Sequence, residues 1–456
     1  MAGLLIGASF HGVLLMSSSS KDYATDAHGW AELLAPRTAK PALKGKHRAA
    51  FTVIGAGVTG LSCARRLAEL HPDQEILLLE ARDIGQGASG RNSGFAVSVS
   101  HFFSDNLQPP LAAQIDDYRR INRANQAGLE LLREQVSAHS IDCQWRDDGF
   151  YHVAADEISK QECGYLEKLL QRMEIKHHVH DREALNEKLG TRHYHSGIHV
   201  PGGVLLQPAA LVQGLADSLP KNVTLCEQSA VLSISNRTPI TLQLEAGEVQ
   251  TDKLFIATNY EAPKLGVLNR YMIGSTLTGS VTRVLGKDEL ASLGSLSHWG
   301  SLSLHRGGAT VRLTTDGRIC LRNTAEYNGA KLFDDQTLVS RQRVHREAFE
   351  KRYPQLADVP FEYSWSGVEG ISANGTNFFG QQETNIYYAG VFNGSGVSRG
   401  TAFGTALAEY ACDGQSSLID DCLAFEPATW LPPRPLLDIG AWFTVRSRFK
   451  GVGLDR

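Results

Sequence analysis

Three glycines and one glutamate carry the clearest chemical signal in the chain. Gly55-x-Gly57-x-x-Gly60 follows the apolar run Phe51-Thr-Val-Ile54 and leads into a helical pattern over residues 61–70. Strand, glycine turn and helix in that order make a dinucleotide cradle. Gly55 permits the tight turn, Gly57 lets backbone approach a pyrophosphate, and Gly60 lets helix and strand pack closely. The phosphates then meet the helix N-terminus, where Val58 and Thr59 offer N–H groups and the macrodipole favours an anion. A second apolar run, Ile76-Leu-Leu-Leu79, ends at Glu80, followed by Ala81 and Arg82. A carboxylate there accepts both hydroxyls of an unphosphorylated ribose and opposes a 2′-phosphate. An ordinary strand-turn-helix uses such glycines too; the position of Glu80 favours the nucleotide.

Two further stretches have the composition of ligand loops. Gly87-Ala88-Ser89-Gly-Arg91-Asn92-Ser93-Gly94 is rich in small residues. It lets backbone lie against a flat ring or a phosphate while Arg91 and Asn92 donate to anionic or carbonyl oxygens. Near the other end, Asn385-Ile-Tyr-Tyr-Ala-Gly-Val-Phe-Asn-Gly394-Ser395-Gly396-Val397 reads as a strand and glycine turn opening a helix over 401–412. This second helix N-terminus could hold negative charge developing on a reduced ring. Arg312 and Arg322 are an even number of residues apart, so they share a face if the turn Asp316-Gly317 joins paired strands in register; they could then grip a carboxylate, the alternative being surface arginines in salt bridges. Arg399 is a third candidate for ligand contact. Histidines at 177, 178, 180, 193, 195 and 199 lack a supported ligand spacing and read as surface, so no metal is expected.

The elements that must position these residues alternate. Helical patterns over 104–140, 157–188, 336–353 and from Pro208 to 219 are interleaved with strands at 143–153, 197–200, 223–225, 230–234, 241–244 and 253–258. The last of these ends at Thr258 and Asn259. Strands that return so late make the nucleotide domain discontinuous, with a mixed sheet over 263–362. The expected layout is an arm at 1–47, a nucleotide domain from 48–98, 198–262 and 363–425, a second domain from 99–197 and 263–362, and a tail helix at 426–456. The arm reads as extended chain laid over the surface. The tail, with Arg446, Arg448 and Lys450, reads as a packed helix in preference to a membrane-grazing one.

A chain of 456 residues with 42% hydrophobic and 21% charged residues has ample core, and a formal charge of −4 gives no reason to expect nucleic acid. Seven cysteines without CxxC spacing fit reduced thiols in a cytoplasm. The apolar start lacks a basic region and is too short to span a bilayer; it reads as an extension upstream of Met16, with a weak export signal as the alternative.

With these motifs in place, the chain resembles the flavin-dependent D-amino-acid oxidase and sarcosine oxidase superfamily, most closely its gamma-glutamylputrescine oxidase branch. The resemblance rests on the Gly55 to Gly60 and Glu80 fingerprint, on Gly87 to Gly94, on Tyr363-Ser-Trp-Ser-Gly367, on Thr384-Asn-Ile-Tyr-Tyr-Ala-Gly390 and on the tail from Leu431. It implies an α/β (α+β overall) fold in which a Rossmann-like domain holds FAD and a mixed β-sheet substrate domain covers the flavin. Adenosine would lie against Gly55 to Gly60 and Glu80 to Arg82, with Val231 near adenine and Thr258 and Asn259 beside the site. Ser89 to Gly94 would follow the pyrophosphate and flavin, and Gly394 to Val397 would face the pyrimidine end.

Two departures from the family pattern stand out. Ser395 replaces a histidine usual in Ser-Gly-His-Gly, and Ser372-Ala373-Asn374 replaces Thr-Pro-Asp. No cysteine lies between Trp365 and Gly380, where relatives with covalent flavin carry one, so non-covalent FAD is expected. The resemblance implies oxidation of the C–N bond of an amine or amino acid, imine hydrolysis and reoxidation by dioxygen. Arg322, Arg312 and Ser395 are the candidate catalytic residues. The alternatives are a dehydrogenase feeding a quinone or carrier, and a flavin-binding protein with a degenerate site.

Overall fold

The computed structural model describes residues 28–100, 112–305, 307–448 and 452–456. The readings on residues 1–27, on the start of the 104–140 helix and on Lys450 lie outside the described residues. Two eight-stranded sheets organise the chain.

In the first sheet the strand Gly45–Ile54 lies between Ile76–Leu79 and Gly247–Ile256, parallel to both. Val223–Cys226 extends it on one side and Ile386–Gly390 on the other, again in parallel. Strands covered on both faces should be continuously apolar, and Ile76–Leu79 and Ile386–Gly390 are buried at every position. Register sets the site. Ile54 stands level with Leu79 and with Ile256, so Gly55, Glu80 and Ala257 leave the sheet along one C-terminal edge. The amide of Gly55 donates to Leu79 and that of Ala257 to Ile54, tying the edge together. Behind it the helices Val58–Leu70 and Gly396–Ala411 pack closely enough that a Cβ on Gly404 would stand 2.1 Å from the Thr59 carbonyl.

The second sheet runs Phe361–Ile371, Ile273–Thr282, Ile319–Tyr327, Thr310–Leu313, Trp299–Ser303, Phe150–Ala154, Ser196–Val200 and His178–Asp181. Alternation divides its faces. On Ile273–Thr282, Thr278 and Ser280 turn to His345 of the helix Asp335–Arg352, with contacts of 2.9 and 2.7 Å to its two ring nitrogens. Leu277 and Gly279 face the other way, into the cleft.

Several boundaries differ from expectation. Residues 198–200 and 363–371 pair in the second sheet instead of the first, because their cross-strand partners are there. The helical stretch expected over 157–188 breaks into Glu157–Arg172 and Arg182–Leu189. Between them Glu174 takes φ 57° and His178–Asp181 joins the sheet. The arm does not lie wholly over the surface: Trp30 is 1% exposed and wedges edge-on against Trp365. The tail helix Leu436–Arg448 buries Leu437, Ala441 and Val445, while Leu436, Ile439, Trp442 and Phe443 are exposed. Among the described residues no helix is long and apolar enough to cross a membrane.

Candidate functional site

A cleft of ≈ 1280 Å³ runs from the Gly55 turn to the face of the second sheet. At its first end the glycines do different things. Gly55 has φ +94°, a conformation that side chains disfavour, and its Cβ would meet the Ala257 carbonyl at 2.9 Å. A Cβ on Gly57 would stand 2.7 Å from Ser89 Oγ, and one on Gly60 only 1.7 Å from the Gly55 carbonyl oxygen. Gly60 therefore packs the turn against its helix and does not line the cleft, whereas Gly55, Gly57, Val58 and Thr59 do. The helix Val58–Leu70 starts from Gly57 without a side-chain cap, and the Val58 amide donates to Ser89 Oγ at 3.1 Å.

Glu80 has a second task besides its expected one. Its carboxylate accepts from the amides of Ala56 (2.8 Å) and Arg82 (3.0 Å), bracing the turn from below. Desolvation raises its pKa, and the two amides oppose that rise. A carboxylate accepts at about four lone-pair sites, so acceptor capacity remains for ribose hydroxyls. Arg82 is held by Glu261 at 2.6 Å, and Ala81 and Val231 complete this end with Thr258 and Asn259.

The loop of residues 87–94 is clamped from outside. Gly87, Ala88, Ser89, Arg91, Asn92 and Ser93 line the cleft. Arg91 donates to the carbonyls of Gln86 (2.8 Å) and Ser366 (3.1 Å), so it anchors the loop to the second sheet. Asn92 folds back on the loop, donating to the Ser89 carbonyl and accepting from the Gly94 amide. Two indoles finish the clamp: Trp30 donates to the Asn92 carbonyl at 2.7 Å and Trp365 to that of Arg91 at 3.0 Å. Gly94 lies behind the cleft, where its Cβ would strike Arg312 Nη1 and the Leu206 carbonyl.

That position corrects one expectation. Thr310 pairs with Arg322 and Arg312 with Cys320, so the two arginines share a face as the spacing predicts. Arg312 nevertheless does not reach the cleft. It is 2% exposed, donates to the carbonyls of Leu206 (2.6 Å), Gly94 (3.1 Å) and Ser93 (3.4 Å), and lies 5.3 Å over the Trp30 ring. Desolvation pulls its pKa down to about 10. Arg312 braces the loop from behind the cleft, away from the place its expected substrate role would need.

Arg322 lines the cleft and donates to Thr310 Oγ1. Desolvation lowers its pKa, and the charge of Glu369 acts in the opposite direction. Arg399 lies at the cleft wall, with Nε on Asn125 (3.1 Å), Nη1 on Asn377 (3.0 Å) and Nη2 on Ser100. Desolvation takes it down to about 10.

The late turn is held in a demanding backbone shape. Val391, Asn393 and Gly394 have φ of 60°, 51° and 88°, and a β-branched residue there is a rare outlier. Asn259 accepts from the Val391 amide at 2.9 Å, while Asn393 accepts from Ser372 N and donates to the Thr376 and Val391 carbonyls. Ser395 then precedes the helix Gly396–Ala411 without capping it, and Gly394 to Val397 line the cleft. Sequence reasoning missed Trp30, which nothing in its neighbours marks, and Glu369. The latter was legible in part, since it sits two residues beyond Gly367 and shares a strand face with it.

These residues fit FAD. The turn offers a helix N-terminus whose Val58 amide meets only Ser89 Oγ, and a glycine with no room for a side chain, Glu80 offers acceptors, and the cleft continues past residues 87–93 to a second helix N-terminus.

The comparisons agree. The family model described as FAD dependent oxidoreductase (DAO) matches residues 51–410. The chain is 28% identical over 365 residues to gamma-glutamylputrescine oxidoreductase of Escherichia coli, covering 78% of this chain and 82% of that protein. It is 26% identical over 436 residues to the probable oxidoreductase OrdL of Rhizobium meliloti, covering 92% and 98%. Glycine oxidase from Geobacillus kaustophilus superposes with a TM-score of 0.66 at 18% identity, over 85% of this chain and 99% of that one. With a family model that spans most of its length, the chain belongs to the DAO family of FAD-dependent oxidoreductases.

Proposed function

We propose that the protein oxidises the C–N bond of an amine or amino acid, with the imine hydrolysed in water and dioxygen as final electron acceptor, released as hydrogen peroxide. When bound, FAD supplies the two-electron acceptor for hydride leaving the carbon next to nitrogen. The carrying observation is that the second sheet presents Arg322 and Glu369 to the same cleft that the late turn enters. The first-sheet unit holds the cofactor, without a covalent bond, and the second sheet covers it as the substrate domain.

In this reading Arg322, kept charged and poorly hydrated, grips an anionic group of the substrate. Ser395, compact and 7% exposed, borders the reacting end and leaves it without an ionisable group at that position. Asn393 and Asn259 keep the turn in place. The relative named gamma-glutamylputrescine oxidoreductase supports an amine substrate, with gamma-glutamyl amines and polyamines among the candidates. Seven free thiols support a cytoplasmic location.

A second reading, a dehydrogenase that passes electrons to a quinone or carrier, is favoured by the exposed Leu436, Ile439, Trp442 and Phe443 on the helix that gives Val445 to the cleft. An anaerobic screen of amines, polyamines, gamma-glutamyl amides and D- and L-amino acids tests the chemistry. Bleaching of the flavin by at least one class is expected; no bleaching by any class overturns the assignment. Peroxide release in air then separates oxidase from dehydrogenase.

A further inference from the structure

The arm that enters the fold at His28 does not border the cleft, yet it grips the segment that does. Among the described residues, none from 28 to 44 lines the cleft. Residues 80–94 follow the strand Ile76–Leu79 and carry Glu80 at one end and the clamped loop at the other. The arm holds this segment from behind at two places. At the loop end Trp30 donates to the Asn92 carbonyl at 2.7 Å, and Gln207 donates to the Trp30 carbonyl at 2.6 Å. Nearer Glu80, the fully buried Glu227 accepts from the Ile84 amide, from Arg37 Nη1 and from the Lys40 amide, each at 2.6 Å. Two of these three donors belong to the arm. The Leu43 amide adds a bond of 2.9 Å to Ser229 Oγ, and the Ser229 amide donates to the Glu80 carbonyl at 2.8 Å.

Beyond its first short helix the arm has little structure of its own. Residues 35–44 pass without helix or strand and are mostly exposed. A stretch held by a few such contacts opens at lower free energy than the sheet behind it. Residues 80–94 therefore lie between two layers, the cofactor cleft inside and the arm outside. Whichever layer is in place orders the segment and lowers the entropic cost of adding the other. Coupling of this kind is reciprocal: what the arm does for the cofactor, the cofactor does for the arm.

We propose that residues 28–44 are a strap that governs the retention of FAD. Docked, the strap holds residues 80–94 in the shape that grips the cofactor; lifted, it frees both ends of that segment and lets the cofactor leave. Trp30 and Arg37 are its positioning residues, acting through Asn92 and through Glu227. The strap goes beyond the oxidation proposed above and does not depend on which substrate is used.

The test is release of FAD from the diluted holoenzyme, followed by the fluorescence of free flavin. Trp30→Phe keeps a ring in the wedge and removes the N–H donor. Arg37→Ala trims a side chain that is 18% exposed and removes one donor to Glu227. Each variant should speed release about fivefold, the worth of one hydrogen bond, and the double variant more than either. Arg37→Lys, which restores a charged donor, should bring the rate back towards wild type.

A second readout separates a strap from a merely structural arm. The Lys40 and Leu43 amides lie outside the cleft, so FAD reaches them only through residues 80–94 and 227–229. Hydrogen exchange over residues 35–44 should quicken about fivefold or more when FAD is removed from the full chain, while the strand Gly247–Ile256 changes less than about twofold. Wild-type release rates in both single variants overturn the strap. So does exchange over 35–44 that ignores FAD, or that changes only in step with Gly247–Ile256.

Discussion

Gly60→Ala probes the turn on which cofactor binding depends. An alanine Cβ at this position would stand 1.7 Å from the Gly55 carbonyl oxygen, where about 3.0 Å is the least that real contacts show. The oxygen must retreat by about 1.3 Å, and it is backbone, so no rotamer change relieves it. Overpacking of this kind costs roughly 1–3 kcal/mol, and a backbone clash sits at the upper end. At about 1–2 °C per kcal/mol for a chain of this length, the melting temperature should fall by roughly 3–6 °C. Because Gly55, Ala56 and Gly57 move together, flavin is lost as well, read as a lower visible-to-ultraviolet absorbance ratio in purified protein. Gly87→Ala is the control: its φ of −86° suits alanine and no atom lies within 4 Å of the new Cβ, so the polypeptide itself should be as stable as wild type. A Gly60→Ala protein that melts within about 1 °C of wild type and keeps full flavin refutes the argument.

Acid should destabilise the second sheet through His345, which is fully buried with its pKa lowered to about 4, mainly by desolvation. The folded value is depressed, so its stability contribution is present above the unfolded pKa of about 6.5 and is lost as pH falls towards about 4, roughly 3 kcal/mol in all. Denaturant midpoints measured at neutral pH and near pH 5 should diverge, and less so in His345→Gln; equal slopes in both proteins contradict this. Glu261→Gln removes one carboxylate from the Arg82 guanidinium in a buried site while Glu80 stays nearby, which should cost roughly 1–3 kcal/mol. Retention of wild-type stability by this variant would show that the pair is dispensable. Finally, acid-precipitated protein should release its flavin into the supernatant, since residues 365–380 hold no cysteine; a yellow pellet would mean a covalent link elsewhere.

How much was legible in the sequence depended on whether a residue's task was local. Gly55, Gly57, Gly60 and Glu80 act within one strand-turn-helix-strand unit, so their spacing carries their meaning. The shared face of Arg312 and Arg322 was legible for the same reason, because hairpin parity is local. What lies above each arginine is not. Arg312 is covered by Gly94 and Trp30, over two hundred residues away, and only the assembled fold makes it a brace while Arg322 meets the cleft. The boundary at residue 363 was misplaced for a related reason. A strand's apolar pattern shows that it pairs but not with which sheet, and Phe361–Ile371 joined Ile273–Thr282.

The order of strands in the first sheet also bears on biosynthesis. Gly247–Ile256 pairs on one side with Gly45–Ile54 and on the other with Ile386–Gly390. A chain growing on the ribosome can form the first contact after residue 256, and Ile240–Gln243 covers residues 248–251 of the outer edge at once, yet Leu254–Ile256 stays open there until about 130 further residues have been made, roughly 6–26 s at usual translation rates. Throughout that interval an apolar strand edge is available to wrong partners. Expression yield should therefore respond to translation speed through residues 257–385 and to chaperone supply.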